Sequence, residues 1–213
     1  MFSLREFWNL LFAVLILGFV SSWAFLGTNL LDGFITASLL FLIIVFVSVI
    51  SKKIISWNLF DAYEESKIWS FQKYWFGTGD SLPSAIPMGF ILPFFLSVLS
   101  LGKLPWFGVL ESDVRPSKFR GLRRKGLYRY VEITEGNFAV IAFTGIISVL
   151  LLGIVAYFIN LPVLASLSVW YAFFNVLPVG RLDGSKLFFG NRSLWYLTFV
   201  LTAFVLVGSI III

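Results

Sequence analysis

Between Phe7 and Leu26 the chain runs for 20 residues without a charged side chain, and no other feature limits its fold so tightly. A helix of that length, at ~1.5 Å per residue, crosses a ~30 Å hydrocarbon core. Runs of the same character follow at Phe34–Ile50, Phe138–Ile159, Val163–Leu177 and Leu194–Ile213. Inside a bilayer every backbone N–H and C=O must be satisfied within the protein, so such runs are helices. The expected class is an all-α polytopic membrane protein of about five transmembrane helices. Composition agrees: 59% of the residues are hydrophobic and mean hydropathy is +0.95, more apolar surface than a soluble domain of 213 residues can bury. One membrane domain over residues 1–213 is expected. The opening Met1-Phe-Ser-Leu-Arg-Glu6 lacks a basic n-region and a small-residue cleavage site, so the first run reads as a retained span.

The connections carry the remaining structure. Thr28–Gly33 is a short turn with one acid and no base. The second span is expected to end at Ser51, Lys52 and Lys53. From Ile54 to Gly79, charge alternates with aromatics: Trp57, Phe60 and Tyr63 recur at helical spacing, whereas Trp69, Phe71 and Trp75 fall on one face of a strand. Either way the segment belongs at the interface, where aromatic rings settle. Ser84–Leu101 is apolar but broken by Pro87, Gly89 and Pro93, so a kinked crossing helix and a re-entrant element are both open. Gly102–Gly136 is the longest polar stretch. Its basic cluster, Arg120, Arg123, Arg124 and Lys125, precedes an alternating run, Leu127–Thr134, that reads as a strand. A small interfacial β element is therefore expected beside the helices.

Charge placement orients the chain. With a cytoplasmic N-terminus and a re-entrant Ser84–Leu101, all 16 Lys and Arg fall on the cytoplasmic side. A full crossing by that segment would put the eight bases of Gly102–Gly136 opposite the four of Ser51–Gly79. The positive-inside bias favours the re-entrant arrangement. The expected location is then the plasma (cytoplasmic) membrane, with the basic cluster facing anionic lipid. The net charge of +5 reports topology and lipid, and nucleic acid is a poor partner for such a chain.

Zero Cys and zero His remove thiolate metal sites, Cys nucleophiles and the commonest metal ligand and general base at neutral pH. One polar constellation remains at membrane depth. Asn175, Pro178, Leu182, Asp183 and Gly184 lie at the end of the run Val163–Leu177 and just beyond it, with the spacing N-x-x-P-x-x-x-L-D-G. Polar groups at that depth are costly and point to function. A plainer account has Pro178 stopping a helix and Asp183 capping the next, but it leaves Asn175 without a reason.

These five residues resemble the Asn-Pro-Leu-Asp-Gly motif of the site-2 proteases, the intramembrane zinc metalloproteases. The resemblance covers roughly residues 34–190 and implies that family's helical core. It also implies that Asp183 stands where a zinc ligand stands in the family. The family's other ligands come from a His-Glu-x-x-His helix; aligned on it, Ser48, Val49 and Lys52 take the His, Glu and His positions. Of a second family feature, an Ala-Gly-Pro-x-x-Asn sequence, only Gly145 is retained, within Thr144–Val149.

A catalytic zinc needs three protein ligands and an open water position. Here Asp183 is the one deep carboxylate, with Asn175 a weak neutral oxygen beside it. No cofactor and no metal are expected. A Lys or Arg, Lys52 first, is expected to replace the metal's charge; helix capping by Asp183 is the competing account. The function that follows is a catalytically inactive homologue, a pseudoprotease that binds a partner transmembrane segment or serves as a subunit of a membrane complex. In the family a substrate lies beside an exposed strand, so Leu127–Thr134 or Lys67–Phe76 could supply an edge. The alternative is an active intramembrane metalloprotease with an atypical or partner-completed metal site. A channel or transporter would show several ionisable residues inside spans, and only Asp183 and Lys52 approach that.

Overall fold

The computed structural model describes residues 3–25, 30–73, 81–117, 124–125, 128–129 and 133–212. Among them are seven helices: α1 (Leu4–Phe25), α2 (Leu30–Phe60), α3 (Met88–Leu99), α4 (Glu135–Phe158), α5 (Pro162–Val176), α6 (Asp183–Gly190) and α7 (Arg192–Ile212). Four of these, α1, α2, α4 and α7, are long and apolar enough to cross a membrane. The described residues also include six short strands: β1 (Ala62–Ile68), β2 (Phe71–Lys73), β3 (Ser81–Ile86), β4 (Leu110–Pro116), β5 (Arg124–Lys125) and β6 (Tyr128–Arg129). They pair as three antiparallel two-stranded ribbons, β1–β4, β2–β3 and β5–β6.

Helix α2 is the central element, packed on α1 on one side and α4 on the other; α5 lies on α4, and α7 covers α5. Buried apolar side chains of α1, α2, α4 and α5 form one core with Phe107 and Val109. At its middle, the Phe41 ring meets Phe107 at 5.4 Å and Tyr171 at 6.3 Å. A smaller cluster of Ala62, Val114 and Ile141 ties the β1–β4 ribbon to α4.

Local chemistry explains the α4–α5 turn. Asn160 adopts φ 58°, its N–H donates to the Tyr157 carbonyl at 3.1 Å, and the Leu161 N–H reaches the Ala156 carbonyl at 2.9 Å. This is a Schellman ending, with Pro162 then opening α5 where a missing N–H costs nothing.

Three expectations require correction. The second helix does not end at Ser51–Lys53. It continues to Phe60, because Ile54, Ile55 and the Trp57–Phe60 turn sustain helical packing until Asp61 breaks it at φ 46°. Ser84–Leu101 is not one element. Residues up to Ile86 belong to β3, and only 12 residues form α3, with Pro93 inside it. Finally, the ribbon beside the bundle is β1–β4, whose strands were not expected; of the expected strand Leu127–Thr134, Tyr128–Arg129 is strand, paired with Arg124–Lys125, while Leu127 and residues 130–132 lie outside the described residues. Arg120 and Arg123 of the basic cluster lie outside the described residues.

Candidate functional site: a buried lysine–aspartate pair

The site is assembled where α2, α5, α6 and β4 converge. Ser48 and Lys52 are four residues apart on α2 and so share one face. Both are buried, as is Val49 between them. Lys52 lies along α4 at Gly145, where a Cβ would come within 2.8–2.9 Å of the lysine Cγ, Cδ and Cε. Glycine at 145 is therefore what leaves room for the lysine stem.

Asp183 is the first residue of α6, and Leu182 is its N-cap, with no side-chain capping bond. The carboxylate is committed elsewhere. Its Oδ2 accepts from Lys52 Nζ at 2.7 Å, with side-chain exposures of 2% and 3%. Its Oδ1 accepts from Ser112 Oγ on β4 at 2.8 Å. The pairing with Lys52 expected from the sequence is thus present, and helix capping does not account for Asp183. The start of α6 favours a negative charge there as well.

A second ammonium approaches the same carboxylate. Lys186 Nζ lies 4.0 Å from Asp183 Oδ1 and donates to Ser112 Oγ at 2.9 Å and to the Ser112 carbonyl. Burial holds the Lys186 ammonium below the ordinary lysine range, against the pull of Asp183. The Asp183 carboxylate therefore has two lysine amino groups beside it.

Gly184 follows the same logic of close approach. A Cβ there would stand 2.3 Å from the Val176 carbonyl oxygen and 2.4 Å from that of Leu177. Only glycine lets α6 start against the end of α5. Pro178 shapes the link between them: the Val179 N–H turns back to the Leu177 carbonyl at 2.8 Å around the proline. Asn175 is buried and donates from Nδ2 to the Tyr171 carbonyl at 2.8 Å, within α5. Its partner is thus a carbonyl of its own helix, one turn back, and Pro178 lies beyond the helix end. The Tyr171 hydroxyl is bordered by Ser48 and Asn175, which joins the motif residue to the α2 face.

The sequence-level candidates thus fall into two groups. Ser48, Lys52, Asn175, Asp183 and Gly184 meet in one buried region. Arg124 and Lys125 occupy β5, for which no contact to this region is described. Three participants were missed. Ser112 is 71 positions from Asp183 and carries no local signal. Lys186 could have been found from its i+3 relation to Asp183, which places the two on one helix face. Glu64 on β1 is buried as well; its Oε1 accepts from Ser66 Oγ at 2.8 Å, while its Oε2 has no hydrogen-bond partner and lies 3.6 Å from Lys53. Burial pushes the Glu64 carboxyl up.

The donor set does not fit a zinc ion. Among the described residues no cluster of three or more Asp, Glu, His or Cys forms, and the one carboxylate at the motif is shared by two ammonium groups that would repel a cation. Chemically the arrangement is a closed ion pair with a serine bridge to a strand edge. No family model matches the chain, no curated protein matches it, and no solved structure matches it.

Proposed function

We propose that this chain is a membrane protein on the plan of the site-2 proteases in which an ion pair stands in the place of the metal, and that it binds a partner segment without cleaving it. The single observation behind the reading is the 2.7 Å contact of Lys52 with Asp183, between the residue aligned with the family's second His and the residue aligned with its Asp. An ammonium on that carboxylate supplies the positive charge a metal would supply, without a Lewis acid or an activated water.

In this reading α1, α2, α4, α5 and α7 span, and α3 re-enters. The 12 residues of α3 cover only ~18 Å of a ~30 Å core, which supports re-entry. The N-terminus is cytoplasmic, in the cytoplasmic membrane, with the basic residues Arg120, Arg123, Arg124 and Lys125 near anionic headgroups. The partner is a transmembrane helix continued by an extended segment that adds to the free edge of β4. The β1–β4 ribbon supports that part, since it is anchored to the bundle and leaves one edge beside a cavity of about 410 Å³ lined by β4, α4 and α6 residues.

Two measurements test the proposal. Elemental analysis of the purified chain should find zinc far below one mole per mole; stoichiometric zinc that disappears in Asp183→Ala would refute the replacement of the metal. A photo-crosslinking residue at Val114 should capture a polypeptide in native membranes, and adducts with lipid alone would refute strand docking.

A further inference from the structure

Charged side chains meet both outer edges of the β1–β4 ribbon, but in different ways. The ladder continues through Trp69 N–H to the Val109 carbonyl and Ser117 N–H to the Asp61 carbonyl, each at 2.9 Å. With the register Ser66↔Ser112 and Glu64↔Val114, alternation turns the N–H and C=O of these four residues outward. On the β1 side the Ser66 N–H donates to Glu6 Oε1 at 3.1 Å, and the Glu64 carbonyl accepts from Lys53 at 2.7 Å. Glu6 and Lys53 hold each other at 2.7 Å, with exposures of 1% and 16%. That edge is sealed into the bundle.

The β4 edge is held by one side chain. Lys186 reaches the Ser112 carbonyl from the cavity of about 410 Å³, and its side chain keeps 21% exposure. Among the described residues, the Ser112 N–H and both backbone groups of Val114 take no partner. A lysine laid over an open edge is a recognised guard against strand addition. The carboxylate nearest to this one, Asp183, is already bound to Lys52 at 2.7 Å and lies 4.0 Å from Lys186. Asp113 on the cavity rim is occupied by Lys67 at 2.6 Å and Arg115 at 3.0 Å. Arg181 and Glu135 line the cavity as well, and of its two bases Lys186 is the one that lies on the strand edge.

We propose that Lys186 gates the open edge of β4, and that the segment docking there carries an aspartate or glutamate that draws the ammonium off the Ser112 carbonyl. This rests on the strand-docking reading above and adds the chemistry of the partner to it. A neutral strand would have to displace the ammonium from the Ser112 carbonyl and offer it no charge in return. An acidic one supplies a charge-assisted hydrogen bond, about twice as strong as a neutral one, while the flexible four-carbon stem swings within the cavity.

The test uses the full chain in detergent micelles and two fluorescein-labelled, end-blocked octapeptides of alternating threonine and valine. One carries a central aspartate and the other a central asparagine. By fluorescence anisotropy, the wild type should prefer the aspartate peptide at least about tenfold. In Lys186→Met the preference should vanish and the asparagine peptide should bind more tightly than to the wild type; Lys186→Arg should keep the preference. Equal binding of both peptides by all three proteins overturns the gate and leaves strand docking standing. Absence of binding by all three overturns both. Displacement of the aspartate peptide by short-chain phosphatidylglycerol, at concentrations where phosphatidylcholine has no effect, assigns the charge to a lipid headgroup and also overturns the proposal.

Discussion

Replacing Lys52 by Met and Asp183 by Asn, singly and together, measures how far the ion pair at the centre of the site is a unit. The two side chains are 2% and 3% exposed and 2.7 Å apart. Removing one member of a buried pair strands the other, at about 3–5 kcal/mol. The two single changes are not equivalent. In Lys52→Met, Asp183 keeps Ser112 at 2.8 Å and Lys186 at 4.0 Å, so the loss should fall near the lower end, about 3 kcal/mol. In Asp183→Asn a fully buried ammonium on Lys52 loses the carboxylate that touches it, and the loss should approach about 5 kcal/mol. In the double variant neither charge is stranded. Its cost should be roughly 5 kcal/mol, short of the sum of about 8, a coupling near 3 kcal/mol at the upper limit of measured pairs. Unfolding of the detergent-solubilised protein, followed by the fluorescence of its 8 Trp, gives the four stabilities. Additivity within about 0.5 kcal/mol would show that the two residues act independently, and the replacement of a metal by a lysine would fall with it.

Gly145→Ala should destabilise by about 1–3 kcal/mol through contact with the Lys52 stem, and a Lys52→Ala background should remove most of that cost in the same unfolding assay. Gly184→Ala has no such rescue, because its Cβ would meet the backbone carbonyls of Val176 and Leu177 at 2.3 and 2.4 Å; loss of the folded protein on gel filtration is expected. Glu64 holds its proton more tightly when folded than when unfolded. Its contribution to stability is therefore present at low pH and is lost as pH rises from its ordinary value of 4.5 through the raised folded one. Glu64→Gln should lessen the decline in stability as pH rises above about 4.5, and an unchanged decline would contradict the assignment. The chain has no native cysteine, so single cysteines at Arg115 and Asn160 can be labelled with an impermeant maleimide. They should label from opposite sides of a sealed membrane, and same-side labelling refutes the proposed topology.

The long helices were legible because their cause is local. An uncharged run of 20 residues has few other ways to satisfy its backbone in an apolar surround, and α1, α4 and α7 follow the runs read from the sequence. The α4–α5 turn was legible for the same reason, since Asn160 and Pro162 carry their own conformational preferences. The ribbon was not. Ala62–Ile68 and Leu110–Pro116 place Glu64, Ser66 and Ser112 on the buried side, so neither strand shows the apolar alternation by which a half-buried strand is recognised. Those polar residues are buried because Glu6, Lys53, Asp183 and Lys186 meet them from distant parts of the chain.

The same division runs through the site. Composition and spacing alone determined that the chain is dominated by apolar helices, that it lacks histidine and cysteine, and that Asp183 is a carboxylate in need of a counter-charge at depth. Lys52 as the partner followed from the alignment of α2. That Asp183 pairs with Lys52 and does not cap α6, that Ser112 bridges it to β4, and that Lys186 lies across the strand's open edge were decided only by tertiary structure. Those contacts join residues up to 131 positions apart, and no local pattern encodes a hydrogen bond whose two ends are brought together by the packing of α2, α4 and α6.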